Sequence, residues 1–186
     1  DIMLLSSEGK AVRFASTDAR AMGRVSKGVR GMRLPPEHLV ISMVVPEEDG
    51  YLLTVCENGY GKRTKVEEFP TKGRGGKGMI AIQASERNGP LVGATQLFTG
   101  DEIMLISDQG TMVRTRGDEV SVVGRNTQGV RIIRLKDNEN LVSLARIAEP
   151  EEEDDVLIEG ALEQGSPENS AAVEDTAAEG SPEDSP

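Results

Sequence analysis

The sequence is poor in the residues that build several common kinds of site. It has one cysteine, one histidine, no tryptophan and only 3% aromatic residues among 186. A lone thiol, Cys56, forms no intrachain disulfide and fits a reducing compartment, and His38 without any CxxC pair offers no zinc-ligand set. The scarcity of aromatic residues disfavours binding of single strands by base stacking. Any core must therefore be built from Ile, Val, Leu and Met.

Long hydrophobic runs are also missing. No stretch approaches the roughly 20 apolar residues of a membrane helix, and no basic segment precedes an apolar one at the start of the chain. We therefore expect no membrane anchor and no signal peptide, and the start resembles a position inside a longer chain. No carboxylate pair has a recognisable catalytic spacing. The expectation is a cytoplasmic protein with no catalytic residue, metal or cofactor in this chain.

The net charge of −11 conceals an uneven distribution. Residues 149–186 hold 14 acidic and no basic side chains, which leaves 18 acidic and 21 basic ones, a net of +3, in residues 1–148. The acidic segment is rich in Ala, Ser, Glu and Asp, so it buries too little apolar surface to offset its ordering entropy. We predict a mildly basic folded body, residues 1–148, followed by a largely disordered acidic tail, residues 149–186.

The body contains three internal repeats, of about residues 1–50, 51–100 and 101–148. Equivalent positions recur at spacings of 50 and then 51 residues. They include the turn glycines Gly9, Gly59 and Gly110, the arginines Arg13, Arg63 and Arg114, and the glycine-arginine blocks 23–28, 73–78 and 124–129. Agreement at several independent columns in one register indicates a true structural repeat.

Each repeat is predicted to hold four short strands. The apolar runs are rich in Ile, Val and Leu and end at turn signals such as Asn58-Gly59. One predicted strand follows each glycine-arginine block, including Gly28–Arg30 in the first repeat. No 12-residue stretch of the body keeps a helical period. Four strands in about 50 residues are typical of a propeller blade, whereas a sandwich of similar strands would not explain so regular a period.

The block 73–78 fits the GxGxxG pattern of a dinucleotide site, but its surroundings do not. That pattern requires a strand before it and a helix after it, whereas Phe69-Pro70 precedes the block and the strand-like run 79–82 follows. The repeat suggests another use. Glycine lets a backbone approach a phosphate closely, and a guanidinium matches phosphate oxygens.

Repetition of these blocks would place their cations on one edge of successive blades. We predict a basic rim that binds duplex phosphates without reading bases. The candidate contact residues are Arg13, Arg24, Lys27, Lys62, Arg63, Lys65, Lys72, Arg74, Lys77, Arg114, Arg116 and Arg125, with further charge nearby from Arg30, Arg33, Arg131 and Arg134. The alternative is a set of ordinary solvated edge charges, partly paired with acidic residues such as Glu67 and Asp118.

These motifs resemble the C-terminal domain of the bacterial DNA gyrase A subunits. The resemblance lies in the glycine-arginine blocks, the segments 58–64 and 123–130 and the acidic end. The segment 74–78 matches the last five residues of the family's box, Gln-Arg-Arg-Gly-Gly-Lys-Gly. Lys72 and Gly73 stand where Gln and Arg are expected, so we interpret it as a degenerate copy on a later blade. The resemblance implies a six-bladed β-pinwheel whose neighbouring blades exchange strands, with about half of it present here.

The resemblance also implies a function. Such a domain wraps duplex DNA so that the holoenzyme, an ATP-hydrolysing type II topoisomerase of two A and two B subunits, introduces negative supercoils. ATP and Mg would bind to other domains, and the protein would associate with the bacterial nucleoid. The tail is either a solubilising appendage or a tethered competitor for the basic rim. The alternatives are the corresponding domain of topoisomerase IV and a propeller-like module that binds proteins.

Overall fold

The computed structural model describes residues 1–148, as β-strands joined by loops and three short 3-10 turns. The acidic segment, with its predicted disorder, lies outside the described residues. The strands are β1 (Ile2–Ser6), β2 (Lys10–Phe14), β3 (Val40–Val44), β4 (Tyr51–Cys56), β5 (Tyr60–Lys65), β6 (Met79–Ile80), β7 (Leu91–Leu97), β8 (Glu102–Ser107), β9 (Met112–Arg116), β10 (Val130–Arg131) and β11 (Leu141–Ile147). The 3-10 turns are Ser16–Asp18, Val66–Glu68 and Gly117–Glu119.

The strands form three antiparallel sheets, one for each repeat. The first sheet has the order β3-β1-β2-β6, the second β10-β5-β4-β7 and the third β11-β8-β9. The edge strands β6 and β10 come from the following repeat, so the second and third repeats each complete the sheet before them. This confirms the predicted all-β fold with propeller-like blades and exchanged strands.

The glycines of the first two hairpin turns are where the next repeat attaches. Gly59 has a φ of +79°, and its carbonyl oxygen accepts hydrogen bonds from the backbone N–H groups of Ile132 and Ile133. Gly9, with a φ of +82°, accepts equivalent bonds from the segment 81–82. A Cβ atom at Gly59 would lie 2.6 Å from the Ile133 carbonyl oxygen. Glycine therefore serves both the turn and the close approach of the neighbouring repeat.

The hydrophobic core is divided between neighbouring sheets. One cluster joins the first two repeats and includes Met3, Leu5, Leu52, Phe69 and Ile82. A second cluster joins the last two repeats and includes Leu53, Val55, Ile103, Leu105 and Ile133. Alternate residues of β4 thus point to opposite clusters, as strand geometry requires. The middle repeat is buried on both faces, so the repeats depend on one another for their apolar contacts.

The prediction of a strand at Gly28–Arg30 was wrong. The equivalent segments of the later repeats form β6 and β10 because an edge strand of the preceding sheet is available to each. The described residues contain no earlier sheet, and the segment 28–30 has no strand structure there. Across residues 1–148, no helix is long and apolar enough to span a membrane, and no three potential acidic, His or Cys metal ligands are grouped together.

Candidate nucleic-acid interface

The second and third glycine-arginine loops, 73–78 and 124–129, each lie against the edge strand of the preceding repeat. Their final glycines have positive φ values, +81° at Gly78 and +76° at Gly129. A Cβ atom at Gly78 would lie 2.8 Å from the Ala11 carbonyl oxygen, and one at Gly129 would lie 2.6 Å from that of Gly61. Two backbones meet too closely for a side chain, which explains why each block ends in glycine.

The first loop, 23–28, has the same local turn but no partner strand within residues 1–148. Gly28 has a φ of +76°, yet a Cβ atom there would have no neighbour within 4 Å. Arg24 and Lys27 are exposed, and so is Val25 between them. The predicted cations of this loop therefore face solvent, and neither takes part in an ion pair among the described residues.

Lys62, one of the candidate contact residues, is buried beneath the third loop. The residue has no exposed surface. Its Nζ donates hydrogen bonds to the carbonyl oxygens of Gly124 and Arg125, at 2.6 and 2.5 Å, and to Thr127 Oγ1 at 3.2 Å. Three acceptors match the three donors of an ammonium group. Burial lowers the pKa of Lys62 to about 8. In this arrangement Lys62 holds the loop that carries Arg125 instead of facing a ligand itself.

The first two copies of the arginine that follows the hairpin turn join their repeat to the next one. The Arg63 guanidinium donates to the carbonyl oxygens of Val120 and Asp118 at 2.8 and 3.0 Å. It also pairs with the Asp118 carboxylate at 2.8 Å. Arg13 donates to two carbonyl oxygens, at and just after the 3-10 turn Val66–Glu68, at 3.4 and 3.1 Å. Arg13 and Arg63 thus connect adjacent repeats through the turn that follows each β-hairpin.

The third copy of this arginine has a different environment. Arg114 pairs with Glu102 of its own sheet, and its side chain is 59% exposed, against 9% for Arg63 and 12% for Arg13. The described residues contain no following repeat whose turn Arg114 could join. The sequence made these arginines equivalent candidates for the rim, whereas the structure separates two that connect repeats from one that faces solvent.

The second loop and the residue before it carry three exposed cations, Lys72, Arg74 and Lys77. Arg74 is exposed and donates to the carbonyl oxygens of Asp18 and Arg30 at 2.9 and 3.0 Å, which holds the loop on the first repeat. Lys72 and Lys77 are both exposed. Elsewhere Arg116 is exposed, and the exposed Lys65 pairs with Glu67 at 3.2 Å. Arg125 of the third loop is half-buried, with its backbone N–H donating to a Glu68 oxygen at 3.1 Å.

A cavity of about 220 Å³ lies beneath the second loop, lined by Val12, Arg13, Lys72, Lys77 and the loop glycines. Val12 is the first-repeat equivalent of Lys62. The ammonium of Lys62 bonds the underside of the third loop, whereas the corresponding space under the second loop stays open. Its three cations surround a gap that a ligand oxygen could enter.

Two further arginines converge on Tyr60 at the junction of the second and third repeats. Arg131 Nη2 donates to the Tyr60 hydroxyl at 2.6 Å. The Cζ atoms of Arg87 and Arg131 lie 4.5 and 5.2 Å from the Tyr60 ring centroid. Hydrogen bonds from Arg131 and Arg87 lower the pKa of the Tyr60 hydroxyl. Sequence reasoning missed Arg87, because the equivalent positions in the other repeats hold glutamate and asparagine and no repeated column marks it.

One repeated position ties a loop of each repeat to that repeat's first hairpin. The contacts join His38 Nδ1 to Ser7 Oγ at 3.1 Å, Asn88 Nδ2 to Cys56 Sγ at 3.7 Å, and Ser107 Oγ to Glu139 Oε1 at 2.6 Å. The hydrogen bond from Ser107 lowers the pKa of Glu139 to about 2. Burial raises the pKa of the Cys56 thiol to about 12. Cys56 is therefore a packing residue.

The repeated arrangement has a counterpart among known protein families. The model of the DNA gyrase C-terminal domain, a beta-propeller, matches residues 1–47, 50–96 and 101–148. The chain belongs to the DNA gyrase C-terminal domain family. Residues 1–148 of this family member thus contain three matches to the domain, one for each sheet.

Relatives in sequence include the A subunits of DNA gyrase from several bacteria. The chain is 53% identical over 166 residues to the DNA gyrase A subunit of Escherichia coli, which covers 89% of the chain and 19% of that protein. It is 56% identical over 155 residues to the DNA gyrase A subunit of Pseudomonas aeruginosa, covering 83% of the chain and 17% of that protein. The chain therefore spans about a fifth of the length of the curated relatives it matches.

Solved structures agree with this assignment. The structure of a DNA gyrase A C-terminal domain is 33% identical with a TM-score of 0.73, covering 79% of this chain and 50% of that one. The C-terminal domain of DNA topoisomerase IV also has a TM-score of 0.73, at 19% identity, covering 78% of this chain and 46% of that one. At that identity the second match supports the fold alone.

Proposed function

We propose that this chain is the DNA-wrapping part of a gyrase A protein and that it binds duplex DNA through cations on and beside the glycine-arginine loops. The observation that carries the proposal is the placement of the second and third loops, which meet equivalent strands of successive repeats. Equivalent cations repeated from blade to blade suit a duplex, whose phosphates also recur at regular intervals.

Burial and side-chain contacts together divide the candidate residues by role. The proposed contacts are the exposed cations Arg24, Lys27, Lys65, Lys72, Arg74, Lys77, Arg114 and Arg116, together with half-buried Arg125, whose side chain makes no hydrogen bond or ion pair among residues 1–148. Arg13, Lys62 and Arg63 instead support the loops and the junctions between repeats.

In the parent protein, the wrapped DNA would be passed to the strand-passage machinery. Smooth bending of a DNA site costs on the order of 1–6 kcal/mol, which additional phosphate contacts offset. We propose that the parent, with a second copy of itself and two B subunits, uses ATP and Mg bound on other domains to introduce negative supercoils. Its place would be the cytoplasm, on the bacterial nucleoid.

Duplex binding can be tested by titrating the chain with a mixed-sequence duplex at several salt concentrations. We expect the logarithm of the association constant to fall linearly as salt rises, since phosphate binding releases counterions. A salt-independent affinity would contradict phosphate contacts. It would favour the alternative of a propeller-like module that binds acidic protein.

Wrapping can be tested in the full-length parent protein by reversing the charge at Arg24, Arg74 and Arg125 together. We expect supercoiling to decrease while decatenation is spared, because only supercoiling requires the wrap. The topoisomerase IV alternative, in which wrapping is weaker, is separated by the sequence of the parent protein upstream of this chain, where a complete Gln-Arg-Arg-Gly-Gly-Lys-Gly box would favour gyrase. Unchanged supercoiling would remove these arginines from the proposed interface.

The acidic tail has a proposed role of its own, although it lies outside the described residues. A segment of 14 acidic side chains in the same chain as the basic body would compete with DNA at high local concentration. Deletion of residues 160–186 should then tighten duplex binding by the chain. Unaltered affinity would leave the tail as a solubilising appendage.

A further inference from the structure

We propose that Arg87 and Arg131, held together by Tyr60, form a phosphate-binding site beside the third loop, where a phosphodiester of duplex DNA binds. This inference rests on the proposed function and names a contact that the repeated motifs do not contain. We call the contact between the first and second repeats the first junction, and that between the second and third repeats the second junction. The proposed site gives the second junction two arginines at positions where the first junction has none.

Local structure places the two guanidinium groups on the same tyrosine. Arg131 on β10 lies directly opposite Tyr60 on β5 in the antiparallel ladder, so their side chains are cross-strand neighbours. Arg87 approaches from the loop between β6 and β7 and also donates to Gln128 Oε1 of the third loop at 3.3 Å. The pair therefore lies at the loop that carries Arg125.

Within residues 1–148, no carboxylate balances the charge of the pair. Arg13, Arg63, Arg114 and Arg146 each pair with an acidic side chain. Arg87 and Arg131 have no such ion pair among residues 1–148, and both are exposed. The face of the Tyr60 ring and its hydroxyl oxygen stabilise the two like charges side by side. A bound anion would complete their neutralisation.

A phosphate group suits the donors that remain. Each guanidinium has five N–H donors in a planar fork, and the contacts to Tyr60 and Gln128 engage only part of them. Phosphate oxygens accept such forked donors, and Arg is well suited to them because its donors are rigid and its charge weakly hydrated. The exposed position beside the third loop leaves room for a backbone phosphate of a long duplex.

The first junction shows that this arrangement is not a feature of the repeat. The equivalents of Tyr60, Arg131 and Arg87 are Lys10, Ile80 and Glu37. Lys10 pairs with Glu8 at 2.5 Å, so its charge is already balanced. The proposed site therefore belongs to the second junction, and its loss should leave the contacts around the second loop intact.

The first test compares Arg87→Gln/Arg131→Gln with the control Arg20→Gln/Lys136→Gln in the whole chain. The control removes the same charge from two exposed residues that make no side-chain hydrogen bond or ion pair among the described residues. Binding of a mixed-sequence duplex is measured over a range of salt. The loss of one or two phosphate contacts should lower the salt slope by about 1–2 and the affinity about tenfold. The control should change both less.

The second test observes Tyr60 while both arginines remain in place. Tyr51→Phe leaves Tyr60 as the only tyrosine, and its ring carbon signals in ¹³C NMR report ionisation of the hydroxyl. A phosphate bound by Arg87 and Arg131 weakens their effect on the hydroxyl, so the pKa of Tyr60 should rise when duplex is bound. Because neither arginine is changed, this measurement remains decisive even if the double variant does not fold.

The outcomes separate this inference from the function on which it rests. A wild-type chain with no salt-dependent affinity for duplex would contradict the proposed function. If the wild-type chain binds but the double variant equals its control, the site is wrong and the wider proposal survives. Titration of Tyr60 that is the same with and without bound duplex would also overturn the site.

Discussion

The two junctions between repeats have the same backbone contacts but differ in the side chains beneath their glycine-arginine loops. In both, a turn glycine receives the next repeat, a short strand is exchanged and an arginine joins the following 3-10 turn. At the second junction Lys62 is buried under the loop, whereas at the first junction Val12 leaves an open cavity flanked by exposed lysines. The residues that vary between repeats thus decide which cations become structural.

This difference shows that the number of cations in a repeat protein does not by itself give the positive charge of its surface. A cation whose hydrogen bonds are filled by the neighbouring repeat contributes to stability, and one that faces solvent remains available to a ligand. Arg63 and Arg114 occupy the same position in their repeats, but Arg63 is engaged by the next repeat whereas Arg114 faces solvent. Substitutions at equivalent positions should therefore have unequal effects.

The largest difference is expected among the repeated arginines. Arg63→Ala should lower the free energy of unfolding by about 3 kcal/mol, since it leaves buried carbonyl oxygens without a donor. Arg13→Ala should cost about 1–2 kcal/mol, because its carbonyl contacts are longer. Arg114→Ala should cost less than about 0.5 kcal/mol, as expected for an exposed ion pair. Urea unfolding measures all three, and equal losses would contradict the division between junction and surface arginines.

Removal of the buried ammonium should loosen the third loop. Lys62→Met keeps most of the apolar stem but leaves three oxygens without their donor, so a loss of about 2 kcal/mol is expected. Hydrogen exchange of the backbone amides in residues 124–129 should accelerate, while that in 73–78 should not change. The control is Lys65→Met, at an exposed position on the same strand, which should stay within about 0.5 kcal/mol of the wild type. Unchanged exchange in the third loop would argue against the role of Lys62.

The glycines that end the loops allow a matched comparison. Gly28 and Gly78 have φ values of +76° and +81°, but only Gly78 lies against a neighbouring backbone. Gly28→Ala should cost about 1 kcal/mol, the usual penalty of a left-handed alanine. Gly78→Ala adds the contact with the Ala11 carbonyl and should cost about 1 kcal/mol more. Thermal unfolding of the two variants would show this difference. Indistinguishable midpoints would mean that the backbone around Gly78 moves away from the Ala11 carbonyl at little cost in stability.

The smallest effect is confined to acid and concerns the position held by Asn88 in the second repeat and Glu139 in the third. The pKa of Glu139 is lowered from 4.5 to about 2 in the folded chain. Its ionised form therefore stabilises the fold above pH 4.5, and this contribution is lost as the pH falls from 4.5 to about 2. Glu139→Gln should reduce the pH dependence of unfolding in that range only. If the variant's stability fell with pH as steeply as that of the wild type, Glu139 would not be a source of the acid sensitivity.

Much of the fold could be predicted because its signals are local. The apolar runs at 2–6, 52–56 and 103–107 and the glycine turns after them specify hairpins through alternation and backbone freedom. The prediction of a strand at Gly28–Arg30 was wrong because the strand depends on a contact that is not local. Such a two-residue strand is formed by pairing with a neighbour, and nothing within residues 28–30 records whether that neighbour is present.

The candidate site was harder to predict than the fold. The sequence selected cations by type and repetition, which brought together Lys72, Arg74 and Lys77 around the second loop. The sequence also made Lys62 a candidate, because nothing in the residue type or its repeat position indicates that another repeat buries it. The contact roles of the nine cations proposed as DNA contacts are predictions for the binding measurements to test.

By itself, the sequence determined the number and period of the repeats, the all-β fold, the family and the division of charge between body and tail. These follow from patterns that a residue shares with its neighbours or with its counterparts about 50 positions away. Only the tertiary structure decided which cations are structural and which face solvent. The acceptors that engage Lys62 lie at least 62 residues away in the chain, and only packing of one repeat on another brings them within hydrogen-bond distance.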